Sequence, residues 1–121
     1  MQNQHVALVM TADTASAEVF RKLLPQYGLR AVVITEGRKG LERLQHAKPA
    51  LIVLDLQLPE VSGLEILTHL QVASTQIFVL TADVICAHLT GRQVDATLLQ
   101  PIGEADVIEA LDHLPEFHAL S

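Results

Sequence analysis

The sequence predicts an α/β fold in which helices cover both faces of one parallel sheet. Three observations predict it. Short apolar runs alternate with amphipathic helical segments, as in successive βα units. Residues 51–54 are apolar at every position, which is typical of a central strand buried on both faces. This run ends at Asp55, at the carboxyl edge where open α/β sheets place their ligands and chemistry.

The strands are predicted from largely apolar runs of four to six residues that lie between turn-forming or polar segments. Five such strands are expected, over residues 5–10, 31–35, 51–55, 76–80 and 96–99. Each is followed by a helical segment, so the doubly wound arrangement accounts for the whole chain.

The helices are predicted from apolar stripes with helical spacing and from residues that begin or end a helix. Asp13 or Thr14 can cap the first helix, and Gly28 is a natural stop after it. Pro59 predicts a rigid turn, and Gly63 a conformationally permissive position, before the third helix. The others are predicted over 37 to about 47, 83–89 and 104–114. Inward positions of the last helix are predicted at Val107, Ile108, Leu111 and Leu114.

Length and composition indicate one domain over residues 1–121, with 114–121 as a tail or the start of a linker. The N-terminus lacks the pattern of a signal peptide, and no apolar run approaches the ~20 residues of a membrane helix, so a cytoplasmic location is expected. The single cysteine, Cys86, is expected to be a buried thiol. The six histidines show no metal-ligand spacing and are expected at the surface or its boundary.

Charge is distributed unevenly. Residues 1–48 hold seven Lys/Arg against four Asp/Glu, whereas residues 49–121 hold one against ten. A uniformly basic surface is absent, so this domain is not expected to bind nucleic acid. The acidic half suggests a docking surface for a basic partner, or for a second copy through the fourth helix, fifth strand and last helix.

Three segments resemble the receiver domain of response regulators in bacterial two-component systems. They are LIVLDLQLPEVSGLEIL (51–67), FVLTAD (78–83) and LLQPI (98–102). The resemblance implies a flavodoxin-like (βα)5 fold with strand order 2-1-3-4-5, a signalling role rather than an enzymatic one, and a histidine kinase or output protein as partner. It also implies that Asp55 accepts a phosphoryl group and that Thr81 hydrogen-bonds it.

At other positions this sequence differs from the residues that the family usually has. Thr11 and Ala12 stand where the family places two acids that hold Mg²⁺, and Gln100 stands where it places a lysine. Mg²⁺ requires oxygen ligands, usually including carboxylates, so no metal site is confidently predicted and only Asp55 and Asp13 could contribute. Gln100 can donate hydrogen bonds but supplies no positive charge.

A further departure concerns the residue that changes orientation on activation. The family usually has Tyr or Phe at this switch position, whereas this sequence has Thr97. The leading hypothesis is therefore a degenerate receiver that acts mainly as a protein-interaction module, with impaired or absent phosphorylation of Asp55. The alternative is a functional receiver in which Asp13 helps to bind Mg²⁺. A third, a phosphohydrolase of the haloacid-dehalogenase type, is disfavoured because the sequence Asp55-Leu56-Gln57 lacks the second acid.

Overall fold

The predicted alternation of strands and helices is present in a computed structural model of the chain. The structure describes residues 5–46, 48–61, 63–70, 76–83 and 94–114. The predicted helix over 83–89, Cys86 and the tail beyond Leu114 lie almost entirely outside these ranges.

All five strands are parallel and form one sheet. They are β1 (His5–Met10), β2 (Leu29–Ile34), β3 (Leu51–Asp55), β4 (Gln76–Thr81) and β5 (Ala96–Leu99). Their order in the sheet is β2-β1-β3-β4-β5, which confirms the predicted order. Because β1 and β3 lie at the centre, their apolar side chains are covered on both faces.

Four helices are described. They are α1 (Thr14–Leu23), α2 (Gly37–His46), α3 (Gly63–His69) and α4 (Glu104–Asp112). A 3₁₀ turn, Leu24–Tyr27, follows α1 and ends at Gly28, whose φ of 75° confirms the predicted stop. None of the described helices is long and apolar enough to cross a membrane.

Alternate residues of the central strands serve two separate cores. Ala7, Val9, Leu51 and Val53 pack with Phe20 of α1 and with α4, on one face of the sheet. Leu8, Met10, Ile52 and Leu54 pack on the other face with Ile66 of α3 and partly buried residues of α2. This two-residue alternation explains why β3 is apolar throughout.

Some predicted boundaries were wrong by one or two residues. β2 begins at Leu29 because its parallel register with β1 starts with the pair His5 and Leu29, and it ends before Thr35. β4 extends to Thr81, which pairs with Leu99. The last helix ends at Asp112 rather than at residue 114.

One core assignment was also wrong. Ile108 is 37% exposed, whereas Val107, Leu111 and Leu114 are buried as predicted. The buried face of α4 follows the spacing 107, 110, 111 and 114, and Ile108 lies about 100° away from Val107 around the helix. Ala110 is the residue that takes the inward position.

Candidate functional site

The carboxyl edge of the sheet brings together the polar residues that end or follow its strands. Asp55 ends β3 and Thr81 ends β4, while Thr11 follows β1 and Gln100 follows β5. Thr11, Asp55 and Thr81 are among the few buried polar residues, with exposures of 1%, 3% and 1%. Predicted site residues from four strands therefore lie along the same edge of the sheet.

The Asp55 carboxylate receives three neutral hydrogen bonds. The Thr11 hydroxyl donates to Oδ2 at 2.6 Å, and Nε2 of Gln100 donates to the same oxygen at 3.2 Å. The backbone N–H of Gln57 donates to Oδ1 at 2.9 Å. No described lysine, arginine or histidine forms a salt bridge with Asp55. Its charge is thus offset by oriented dipoles rather than by a cation.

Strand geometry explains why these donors reach Asp55. Asp55 continues the row of Leu51 and Val53, whose side chains lie on the face covered by α1 and α4. Thr11 continues the corresponding row of Ala7 and Val9 in the neighbouring strand. The two side chains therefore lie next to each other on the same face of the sheet.

A closed ring of hydrogen bonds extends this arrangement to α1. Nε2 of Gln100 also donates to Oγ of Ser16 at 3.2 Å, and that hydroxyl donates to Oδ2 of Asp13 at 2.6 Å. The backbone N–H of Asp13 donates to Oγ1 of Thr11 at 3.0 Å, which completes the ring through Asp55. Two carboxylates are thus joined only by neutral donors.

Asp13 occupies the predicted capping position but does not cap with its side chain. It is the N-cap residue of α1, with an extended backbone conformation, yet its carboxylate accepts no backbone N–H there. The Ser16 hydroxyl takes that place as donor. The prediction of a side-chain cap was therefore wrong, because a hydroxyl one turn into the helix competes for the carboxylate.

A shallow pocket of about 360 Å³ opens above these groups. It is lined by Asp13, Asp55, Gln57, Ala82, Gln100 and Pro101. The polar side-chain groups available to an incoming ligand are two carboxylates, of Asp13 and Asp55, and two amides, of Gln57 and Gln100.

The residues present do not fit a resident Mg²⁺ in this arrangement. Mg²⁺ needs near-octahedral oxygen ligands at about 2.0–2.1 Å. Oδ2 of Asp55 already accepts two hydrogen bonds and Oδ2 of Asp13 accepts one, so these oxygens face protons. Ala12 supplies no ligand atom in its side chain. Among the described residues, no group of three or more His, Cys, Asp or Glu could hold a metal ion.

Thr81 and Thr97 differ in their surroundings. Oγ1 of Thr81 accepts the backbone N–H of Asp83 at 3.0 Å, and its carbonyl accepts the backbone N–H of Gln100 at 2.8 Å. Thr81 thus ties the loop after β4 to the residue after β5. Thr97 is partly buried in β5 and borders a different groove, between β5 and α4.

Gly63 holds the start of α3 against the acceptor strand. A Cβ at this position would lie 2.5 Å from the carbonyl oxygen of Asp55 and 2.5 Å from Cα of Leu56. The predicted role as a conformationally permissive turn residue was wrong, since a positive φ in this loop belongs to Glu60 instead. Gly63 is needed because the backbones approach too closely for any side chain.

Sequence reasoning missed Ser16 and the backbone N–H of Gln57. The three-residue spacing of Asp13 and Ser16 at a helix start could have indicated their contact. Nothing in the sequence pairs Ser16 with Gln100, which lies 84 positions away. Among the six histidines, His88, His118 and the side chain of His69 lie outside the described part of the structure.

Comparison with solved structures places the fold. A bacteriophytochrome response regulator, RtBRR, superposes with a TM-score of 0.83 over 98% of this chain and 82% of that one, at 22% identity. The receiver domain of a LuxO repressor protein from Vibrio parahaemolyticus gives 0.74 over 87% and 85%, at 20% identity. The chain therefore has the receiver fold.

Sequence comparison places the chain in a family. Residues 7–112 match the response regulator receiver domain. The luminescence regulatory protein LuxO of Vibrio campbellii is 41% identical over 59 residues, 48% of this chain and 13% of LuxO. The response regulator DivK of Brucella anthropi is 28% identical over 85 residues, 63% of this chain and 69% of DivK. This chain belongs to the response regulator receiver family.

Family membership defines the general role. The chain is a receiver domain of two-component signal transduction, a signalling module rather than a classical enzyme. The phosphohydrolase alternative is thereby removed. The segment of this chain that matches the LuxO proteins covers only 13% of their length.

Proposed function

We propose that this receiver domain acts mainly as a protein-interaction module and accepts a phosphoryl group at Asp55 weakly or not at all. The observation that carries the proposal is the pair of donors on Oδ2 of Asp55, the Thr11 hydroxyl and the Gln100 amide. Both donors are neutral and both bind the same carboxylate oxygen, while Oδ1 accepts the backbone N–H of Gln57, so neither oxygen is without a donor. The domain would signal by binding a protein partner rather than by becoming phosphorylated.

Electrostatics supports this reading of the site. Phosphoryl transfer depends on cations that stabilise the charge on the moving group, so each missing charge costs orders of magnitude in rate. The pocket offers the carboxylates of Asp13 and Asp55 and the neutral amide of Gln100. A dianionic phosphoryl group entering it meets two negative charges and, among the described residues that line it, no positive one.

Rigidity of the surroundings supports it further. The Asp55 backbone is held by the close approach of Gly63, and its carboxylate by three hydrogen bonds. Binding Mg²⁺ would require the Asp55 carboxylate to give up hydrogen bonds that it already accepts. The free energy gained would be small, because few other protein ligands are present for the ion.

The proposal is tested by exposing the protein to acetyl phosphate and Mg²⁺ and measuring intact mass. We expect the mass to remain unchanged. Stoichiometric, Mg²⁺-dependent modification of Asp55 would overturn the proposal.

A second candidate function rests on the fact that Asp13 and Asp55 border the same pocket. If Ser16 releases the Asp13 carboxylate, the two acids could share an Mg²⁺ ion and the domain would be a phosphorylated receiver. This version predicts that Mg²⁺ shifts amide NMR signals near Asp55 and that Asp13→Ala abolishes the shifts. Wild-type spectra that Mg²⁺ leaves unchanged would exclude it.

Partners follow from the family and remain part of the proposal. A histidine kinase or an output protein is the expected kind of partner, and residues 114–121 are proposed to be a tail or the start of a linker to such a unit.

A further inference from the structure

The two outer edges of the sheet carry opposite charges. Residues 30–48, which include most of β2 and all of α2, hold five Lys/Arg and two Asp/Glu. Residues 94–114, which include β5 and α4, hold five Asp/Glu and no Lys or Arg. Since β2 and β5 are the edge strands of the sheet, the fold separates these charges to opposite sides of the domain.

An acidic groove lies between β5 and α4. Its volume is about 470 Å³, and Asp95, Asp106 and Glu109 line it together with Leu99. Leu99 is 48% exposed and, with Ile108, is one of the two exposed large apolar side chains among the described residues. The Glu109 carboxylate makes no ion pair or hydrogen bond with any described residue. The groove therefore offers both an apolar contact and an uncompensated negative charge.

A basic groove lies at the opposite edge, between β2 and α2. Its volume is about 680 Å³, and Val33 and Ile34 of β2 line it. From α2, Lys39 and Arg43 line it together with a single acid, Glu42. Both β2 residues are only partly buried, so apolar surface is present here too. Arg43 has no acidic partner among the described residues. Lys39 forms one exposed ion pair, in which its Nζ lies 3.6 Å from Oε1 of Glu36.

We propose that the basic groove of one copy docks on the acidic groove of a second copy, head to tail. Arg43 of one copy would pair with Glu109 of the next, and Leu99 would cover the half-buried apolar residues of β2. A symmetric pairing of two β5 and α4 faces is disfavoured, because it would set Asp95, Asp106 and Glu109 against the same acids. Because each copy would keep one groove free, a heterologous contact of this kind can add further copies and form short linear oligomers.

This inference rests on the proposed function, in that it names a partner for a domain that works through protein contacts. It does not depend on Asp55. The experiment therefore uses the unmodified protein without phosphodonor or Mg²⁺, so a failure here leaves the phosphorylation result untouched.

The test is sedimentation velocity over protein concentrations up to about 1 mM, at about 50 mM and about 500 mM salt. We expect the average mass of the wild type to rise with concentration at low salt and to fall back at high salt. Arg43→Glu and Glu109→Arg should each weaken association about tenfold or more, because each places like charges across the contact. The double variant should recover association.

Matched controls are Arg21→Glu and Glu18→Arg on α1. They make the same changes in net charge at exposed positions outside both grooves, so they should leave association unchanged. A wild type that stays monomeric at every concentration would overturn the proposal. So would association that Glu109→Arg abolishes but Arg43→Glu leaves intact, or a double variant that stays monomeric.

Discussion

The Thr11 hydroxyl lies 2.6 Å from Oδ2 of Asp55 and donates to it, while its own oxygen accepts the backbone N–H of Asp13. One neutral side chain thus satisfies a buried carboxylate and orders the start of α1. An acid at this position, which the resemblance to receiver domains implies for the family, would repel Asp55 unless a cation lay between them.

Replacing Thr11 by Val should destabilise the protein by about 1–3 kcal/mol. The shape is kept, but Asp55 loses a donor and the Asp13 N–H loses its acceptor. Urea unfolding monitored by circular dichroism measures the change. Thr97→Val is the matched control, because the Thr97 hydroxyl makes no hydrogen bond with a described residue, and it should change stability by less than about 0.5 kcal/mol. Equal effects of the two substitutions would contradict the assigned role of Thr11.

Gly63→Ala should destabilise the fold by about 1–3 kcal/mol or more. The new Cβ would lie 2.5 Å from backbone atoms of Asp55 and Leu56, which cannot move without disturbing β3. Gly103→Ala is the control, since the nearest atom to its Cβ would be 3.6 Å away in a flexible side chain. Thermal unfolding compares them, and a Gly63→Ala protein as stable as the control would refute the close approach.

Tyr27 makes stability depend on alkaline pH. Its burial, followed by its hydrogen bond to Asp112 and the charge of that carboxylate, raises the pKa of Tyr27 from 10.0 to about 12. Folding favours the neutral phenol, so this contribution is fully present below pH 10 and is lost as the pH rises through about 12. The loss should be on the order of 2 kcal/mol.

Phenolate absorbance measures this titration directly, because Tyr27 is the single tyrosine of the chain. We expect a midpoint near 12 in the folded protein and near 10 in urea. Tyr27→Phe should unfold with less pH dependence across that range. A titration midpoint near 10 without urea would show that burial and Asp112 do not raise the pKa of the Tyr27 phenol in the folded protein.

The corrected face of α4 gives a further prediction. Leu111→Ala should cost about 2–5 kcal/mol, because Leu111 is fully buried between α4 and the sheet. Ile108→Ala removes a similar side chain at a 37% exposed position and should cost less than about 1 kcal/mol. Chemical denaturation of both variants ranks them, and a larger loss for Ile108→Ala would restore the assignment made from sequence.

Much of the fold could be predicted because local pattern and tertiary burial agree. The unbroken apolar run before Asp55 has a single physical explanation in a doubly covered strand. Ile108 was assigned wrongly because the sets 107, 108, 111, 114 and 107, 110, 111, 114 both have helical spacing, and sequence does not say on which side of Val107 and Leu111 the core lies.

The site could be predicted only at the ends of strands, where topology alone brings residues together. Asp55 was predicted from the end of its strand, whereas Thr81 and Gln100 were predicted from the resemblance to receiver domains. The contact between Ser16 and Gln100 was not, because it depends on how α1 packs against the loop after β5, which no local pattern encodes. For the same reason, the ring of neutral donors around Asp55 became visible only in the structure.

Impaired phosphorylation of Asp55 is tested most directly by comparing phosphoryl transfer to the wild type and to a variant that carries additional charged residues at the site. The variant combines Thr11→Asp, Ala12→Asp and Gln100→Lys, and Asp55→Asn in each background identifies the acceptor. After incubation with acetyl phosphate and Mg²⁺, intact mass should show one added phosphoryl group on the variant and none on the wild type, with rates that differ at least about a hundredfold. Wild-type protein that gains a full phosphoryl group, and loses this ability in Asp55→Asn, would contradict the account.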